Sequence, residues 1–200
     1  MTTLKKTLAR SFLGAASYYK SEASYSSLSD EELMIRYQAG EEAAFEEIYA
    51  RYSKKIYGFL MRRLTDPETS AEHFQETFLR LHRGRSLYRP ELPFKTWLYT
   101  IANNLVRDSL RAKGRSKVAR ASEGDENSEE TATPDGSYKL QSFKEAFAGL
   151  TDDQKEALVL SRFEGMKYDE IGRVMGRSTE AVNQLVQRAM RHLRECADES

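Results

Sequence analysis

Asn183, Gln184, Gln187, Arg188 and Arg191 are spaced to share one side of a helix. Asn and Gln amides donate and accept at once, so they can grip the edge of an adenine; Arg reads guanine or neutralises phosphate. A second polar set lies earlier in the chain: Lys95, Thr96, Tyr99, Thr100, Asn103, Asn104, Arg107 and Arg111. Tyr rings stack on unpaired bases, amides read base edges, and Lys and Arg meet phosphates. This mixture suits a single strand of nucleic acid. The commoner fate of such a face is plain solvation. Weighing against that, the basic character continues beyond it. Residues 107–120 carry Arg107, Arg111, Lys113, Arg115, Lys117 and Arg120 against Asp108 alone.

Catalytic chemistry is missing. The sequence has no Gly-rich phosphate loop and no paired-Cys metal spacing. His73, His82 and His192 fall on separate predicted helices, and the nine-residue step from His73 to His82 puts those two on different faces. No carboxylate pair sits in an apolar setting beside a nucleophile. An enzyme, a metal and a cofactor are therefore not expected, and no catalytic residue is named.

Helical periodicity positions both polar sets. Tyr168, Ile171, Val174 and Met175 recur at helical spacing, and Gly176 can take the positive φ that stops the helix. Ser178 can cap the next helix, with Glu180 in its first turn. There Val182, Leu185, Ala189 and Leu193 form an apolar stripe opposite the polar set. The pattern predicts a helix-turn-helix; the plain alternative is a helical hairpin in a bundle. The earlier set belongs to a helix over 94–113, with Phe94, Trp97, Leu98, Ile101 and Leu105 buried and the polar residues outside.

Upstream, Ser29 and Glu32 make a capping-box pattern that opens a short helix holding Leu33, Met34 and Tyr37, closed by Gly40. A longer helix over 41–63 lines up Phe45, Ile48, Tyr49, Tyr52, Ile56, Phe59 and Leu60 as core. Thr65-Asp66-Pro67 breaks it, and a helix over 68–82 turns Phe74, Phe78 and Leu81 inward. Residues 84–93 read as a loop with Pro90 and Pro93. Near the C-terminus, Leu140, Phe143, Phe147 and Leu150 share a helix face. Thr151 and Gln154 form a second capping box, and Ala157, Leu158, Leu160 and Phe163 come next, before Gly165. No strand pattern appears, so the expected class is all-α, with two helical domains joined by a flexible acidic linker.

The chain has 200 residues, 31% of them charged, and a formal net charge of zero. That neutrality hides the basic run and an acidic one after it: Glu123, Asp125, Glu126, Glu129, Glu130 and Asp135. The acidic run could serve solubility or mimic a nucleic acid inside a basic channel. Cys196 is the one cysteine, which suits a reducing compartment. No apolar run approaches membrane-span length, and the N-terminal Phe12-Leu13-Gly14-Ala15-Ala16 is too short for a signal peptide. A soluble cytoplasmic protein is expected, with no membrane partner. Residues 1–27 read as a mobile tail, with a short amphipathic helix around Leu4, Leu8 and Phe12 as one option.

Taken together, both halves resemble a bacterial sigma factor of the sigma-70 family, in the extracytoplasmic-function (ECF) group. The resemblance covers residues 28–195. It is carried by the segment 71–80, by Phe94-Lys95-Thr96-Trp97-Leu98 with the helix it opens, and by 150–195. It implies a region 2-like domain over 28–113, a linker over 114–136 that threads toward the polymerase cleft, and a region 4-like domain over 137–196. Core RNA polymerase would be held through Glu72, Gln75 and Glu76; Glu72 stands where the family usually has Asp. The minus-ten element would be melted and read by Lys95, Thr96, Tyr99, Asn103, Asn104, Arg107 and Arg111, with Trp97 chiefly core. The loop 87–93 corresponds to one that pockets a flipped-out base, which favours an A·T-rich target. The minus-thirty-five duplex would be read through Arg162, Ser178, Asn183, Gln184, Gln187, Arg188 and Arg191. Family members commonly place a basic residue after the valine at Val182. Asn183-Gln184-Leu185 departs from that and implies an unusual upstream box. Restraint by an anti-sigma factor, or control through expression, is the regulation the resemblance implies. Two rival readings stand beside it: a free-standing helix-turn-helix regulator, and a polymerase-binding module with reduced promoter recognition.

Overall fold

The computed structural model describes residues 25–121 and 138–198, with side chains for 25–115 and 143–198. Among these residues all regular structure is helical. The N-terminal helix considered around Leu4, Leu8 and Phe12, and the acidic run over 123–135, fall outside them. Among the described residues the chain divides into two compact units, the first ending at Arg51 and the second beginning at Tyr52.

In the first unit, α1 (Asp30–Gln38) opens on the expected capping box. The Ser29 hydroxyl accepts from the Glu32 amide at 3.2 Å, and the Ser29 amide donates to the Glu32 carboxylate at 2.7 Å. Leu33, Met34, Tyr37, Phe45 and Ile48 are buried, and the Tyr37 and Phe45 rings stack with centroids 4.9 Å apart. Arg51 gathers the entry to the fold. Its guanidinium donates to Glu47 at 2.7 Å, to Asp30 at 2.8 Å and to the carbonyls of Leu28 and Ser26 at 2.9 Å. One planar fork thus ties an irregular segment to two helices.

The long helix α2 (Glu42–Leu64) continues past the division and buries Tyr52, Ile56, Phe59 and Leu60 in the second unit. The expected break falls at Thr65. This residue takes φ 61°, and the Asp66 carboxylate accepts from the Thr69 amide at 2.9 Å to cap α3 (Pro67–Gly84). Phe78 and Leu81 are buried and Phe74 is half-buried. A 3₁₀ turn, Arg85–Leu87, interrupts the loop expected over 84–93. Then α4 runs Phe94–Ala121, beyond its expected end at Lys113. Gly114 costs a helix only about 1 kcal/mol, and Ala112, Lys113, Arg115 and Lys117 are good helix formers, so propensity carries the helix through. Its buried side is Phe94, Leu98, Ala102, Leu105 and Val106. Trp97 and Ile101, expected in that stripe, are only half-buried.

The C-terminal segment is α5 (Tyr138–Ala148), α6 (Asp152–Leu158), a π turn (Val159–Phe163), α7 (Tyr168–Met175) and α8 (Thr179–Asp198). Leu150, Leu158 and Ala189 form a core joined by Phe147, Met190 and Leu193. Thr151 and Gln154 make the second capping box. Two expected core residues are not core: Phe143 is 44% exposed and Phe163 48%. For Phe163 the cause is the π turn, whose extra residue shifts the register at its C-terminal end. In α8 the buried residues are Val182, Val186 and Ala189, so Val186 takes the place in the stripe expected for Leu185.

The helix-turn-helix joint is tight. Gly176 takes φ 65°, and Ser178 accepts from the Ala181 amide at 3.2 Å. The Arg177 amide reaches back to the Gly172 carbonyl at 2.9 Å. A Cβ on Gly172 would stand 2.7 Å from the Arg177 carbonyl oxygen, which is backbone and cannot swing aside. Gly172→Ala is therefore expected to cost about 1–3 kcal/mol by overpacking. Urea unfolding followed by circular dichroism measures this; an unchanged midpoint would show that the joint yields freely.

Candidate nucleic-acid interface

The two polar sets meet different fates. On α8, Asn183, Gln184, Gln187, Arg188 and Arg191 are all outside the buried stripe, as their spacing predicted. Ser178, at the cap, and Arg162, in the π turn, also lie outside the core. The Val182–Val186–Ala189 stripe fixes the helix from below, so this amide-rich face has one orientation.

The α4 set is largely covered. Thr96 is 4% exposed, and Tyr99 and Asn103 are fully buried, against the expectation that all three lie outside. Lys95 and Arg107 are half-buried, whereas Asn104 and Arg111 remain exposed. The covering groups come from the C-terminal segment. Glu156 receives Asn103 Nδ2 at 2.9 Å, Arg107 Nε at 3.1 Å and Arg107 Nη2 at 3.0 Å. The Arg107 guanidinium also donates to the Met175 carbonyl at 3.1 Å, at the C-terminal end of α7. Arg63 of α2 lies 3.7 Å from the Glu156 carboxylate and donates to the Asp152 carbonyl at 3.1 Å.

A second carboxylate repeats the pattern. Glu164 accepts from the Tyr99 hydroxyl and pairs with Arg62 at 3.3 Å, while its main-chain carbonyl accepts from Lys95. The Tyr99 ring packs edge-on against Phe59, 5.4 Å between centroids. Burial, then the bond to Glu164, pushes the Tyr99 hydroxyl well above the ordinary phenol range, so it stays a donor.

Arg63, Glu156 and Glu164 are not among the site residues expected from sequence, yet Arg63 and Glu156 leave a signal there. Arg63 completes the Ile56–Phe59–Leu60 stripe at the next helical step, where an apolar residue belongs. Asn103 does the same after Tyr99 and Ala102. Glu156 precedes Val159 and Leu160 on one face. Charged or amide groups on apolar stripes are the mark of paired buried polar groups.

The pairing is incomplete. Arg63 Nε and Nη2, Thr96 Oγ1 and Asn103 Oδ1 are buried with no hydrogen-bond partner among the described residues. Each such group costs about 1–3 kcal/mol. Burial also works against the charges themselves: it lowers the Arg63 pKa and raises that of Glu156, despite Arg107 and Arg63 beside the latter.

Glu72 and Gln75 of α3 lie outside the core, as does Glu76, which pairs with Arg80 at 2.8 Å. These residues lie on one helix surface. Among the described residues no group of side chains is arranged to hold a metal, and no helix is long and apolar enough to cross a membrane.

Residues 48–116 match the family model for sigma-70 region 2, and residues 140–193 match that for sigma-70 region 4. The chain is 36% identical to the RNA polymerase sigma factor CarQ of Myxococcus xanthus, over 83% of this chain and 96% of that one. It belongs to the sigma-70 family of RNA polymerase sigma factors. Within the family it groups with the ECF factors. The ECF sigma factor BldN of Streptomyces coelicolor is 34% identical over 81% of this chain and 63% of its own. The fold agrees. The structure of the sigma factor RpoE from Bartonella quintana, solved with the anti-sigma factor NepR, superposes at TM-score 0.65 over 77% of this chain and 96% of that one, at 24% identity.

The buried Glu156 of this sigma factor gives a pH test. Its folded pKa lies above the ordinary 4.5 because burial penalises the carboxylate. Just above pH 4.5 the folded chain therefore binds more protons than the unfolded one, and this contribution to stability is lost as pH rises through the raised value. Arg63 from α2 and Asn103 and Arg107 from α4 are the groups that face it, and Asp152 and Asp153 act on Arg63 in turn. The stability of the wild type relative to Glu156→Gln should fall from pH 4.5 toward neutrality. Urea midpoints at several pH values read it; a flat difference would mean that the carboxylate titrates ordinarily.

Proposed function

We propose that this sigma factor reads promoters at two points, through the exposed face of α8 on the upstream duplex and through α4 on the melted strand downstream. It binds core RNA polymerase in the cytoplasm, directs it to a promoter subset and promotes opening, acting by binding and without chemistry of its own. The observation that carries the reading is the outward Asn183-Gln184-Gln187 face on a rigid helix-turn-helix, in a chain that also holds a second polar helix with the composition for single strands.

In this reading Asn183, Gln184 and Gln187 meet base edges, with adenine favoured. Arg188, Arg191, Arg162 and Ser178 meet phosphates or bases. Lys95, Thr96, Tyr99, Asn103, Asn104, Arg107 and Arg111 take the melted strand, and Glu72, Gln75 and Glu76 dock on the polymerase. The working modules are 28–113 and 137–196, with an acidic linker between them. An anti-sigma partner fits the same reading. Each DNA contact alone is weak; polymerase holds both modules on one assembly, so their affinities multiply. A free-standing regulator would need to protect its site alone, and family membership favours the polymerase-dependent reading.

Run-off transcription with purified core polymerase over a promoter library tests this. Polymerase-dependent start sites with an A·T-rich downstream element are expected, and their absence sinks the reading. Asn183→Ala with Gln184→Ala should change which promoters are used, at about 1–3 kcal/mol of discrimination per lost bidentate contact. Arg107→Ala should reduce opening at all promoters alike.

A further inference from the structure

We propose that a cavity walled by arginines of α2, α4 and the helix-turn-helix joint is a binding site for a small organic phosphate. The cavity measures about 390 Å³ and is bounded by α2, α4, α6 and the end of α7. Arg63, Arg107, Arg111 and Arg177 line it, together with Asp152, Asp153 and Glu156. Four guanidiniums against three carboxylates leave its wall with one positive charge in excess. Arg63 and Arg177 have no part in the promoter contacts proposed for α4 and α8.

Arg63 is the group that asks for a ligand. Its side chain is 1% exposed, yet its Nε and Nη2 have no hydrogen-bond partner among the described residues. Its Nη1 donates to the Asp152 carbonyl at 3.1 Å, and the Glu156 carboxylate stands 3.7 Å from Nη2. That carboxylate is turned instead to Asn103 at 2.9 Å and to Arg107 at 3.0 Å. A buried guanidinium is ordinarily bonded to an anion. In the low-dielectric interior its uncompensated charge acts on the cavity beside it with little screening.

The other three arginines supply the contacts. Exposure increases from Arg107 through Arg177 to Arg111, so they step from the inner wall toward solvent. Arg111 meets Asp108 only at 3.6 Å, and Arg177 pairs with Asp153 near the surface. Exposed pairs of this kind contribute little and yield to a stronger acceptor. Planar guanidinium forks take phosphate oxygens two at a time, and a terminal phosphate offers three oxygens where a carboxylate offers two. Leu110 and the buried Met175 form an apolar part of the lining, which suits a carbon skeleton. The size agrees: sites for small organic ligands usually span about 300–1,000 Å³. A lone phosphate ion would leave most of the cavity empty.

Isothermal titration calorimetry on the full chain tests the site with two probes, pyrophosphate and adenosine diphosphate, at an ionic strength held constant with sodium chloride. Both are expected to bind once per chain, adenosine diphosphate the more tightly. Arg177→Gln and Arg111→Gln should each weaken both probes by about tenfold, the scale of one lost hydrogen bond to a charged group. Arg173→Gln removes an exposed arginine of α7 that pairs with Asp169 outside the cavity, and it should leave both affinities unchanged. Arg63→Gln should show the largest loss. If that variant does not fold, the Arg111 and Arg177 variants carry the test, because both side chains are exposed. Absence of saturable binding overturns the inference. So does an equal loss in Arg173→Gln, which would mean diffuse attraction to surface charge, and so does equal affinity for the two probes, which would leave no role for the organic part.

Discussion

The second unit is organised around one buried carboxylate. Glu156 is 1% exposed, and it draws Arg63 from α2 and Asn103 and Arg107 from α4 to a single point. Arg107 carries the connection on to the end of α7, and Arg63 to the start of α6. A buried ion pair seldom adds stability over apolar residues of the same volume, because both charges lose their water. What it does add is geometry. A carboxylate has few ways to bond one guanidinium and an amide while facing a second guanidinium, so the helices that carry them have few relative positions open to them. Apolar packing alone would tolerate sliding by a fraction of a turn.

Legibility in the sequence depends on which forces act locally. The capping boxes at Ser29 and Thr151, the break at Thr65 to Pro67 and the turn at Gly176 are readable because each is set by residues within a few positions of one another. The face of α8 is readable for the same reason: its period alone separates Val182 and Ala189 from Asn183 and Gln187. The burial of Tyr99 and Asn103 is not readable, because the carboxylates that cover them lie 65 and 53 positions away. Periodicity says that a polar residue is off the apolar stripe; it does not say that another segment will cover it. The π turn escapes as well, since it adds a residue to a helix without any local breaker. The end of α4 lies beyond its expected place because Gly114 weighs less than its helix-forming neighbours.

The two polar helices differ in a way that matters for recognition. The α8 face is outward, rich in amides and fixed by its own apolar stripe, so in the proposed reading it meets bases without rearrangement. The α4 face is cationic and aromatic, and its best groups are engaged inside the chain. A duplex is accessible at any time, whereas a melted strand exists only once polymerase is in place. In the proposed reading, exposure of one helix and engagement of the other match the order in which the two DNA forms become available.

The neutral total charge, 31 basic against 31 acidic residues, acquires a physical meaning in this light. A chain that must touch DNA at two places gains from concentrated positive charge, but a free basic face would bind any nucleic acid in the cell through phosphates alone. A carboxylate placed against that face neutralises part of its charge, as Glu156 does for Arg107. Acidic residues scattered elsewhere on the surface would lower the net charge equally, yet they would screen the face only weakly across a Debye length of about 8 Å. The Glu156 carboxylate, in direct contact with Arg107, acts where the charge is, whereas Lys95 meets the main-chain carbonyl of Glu164 and not its carboxylate.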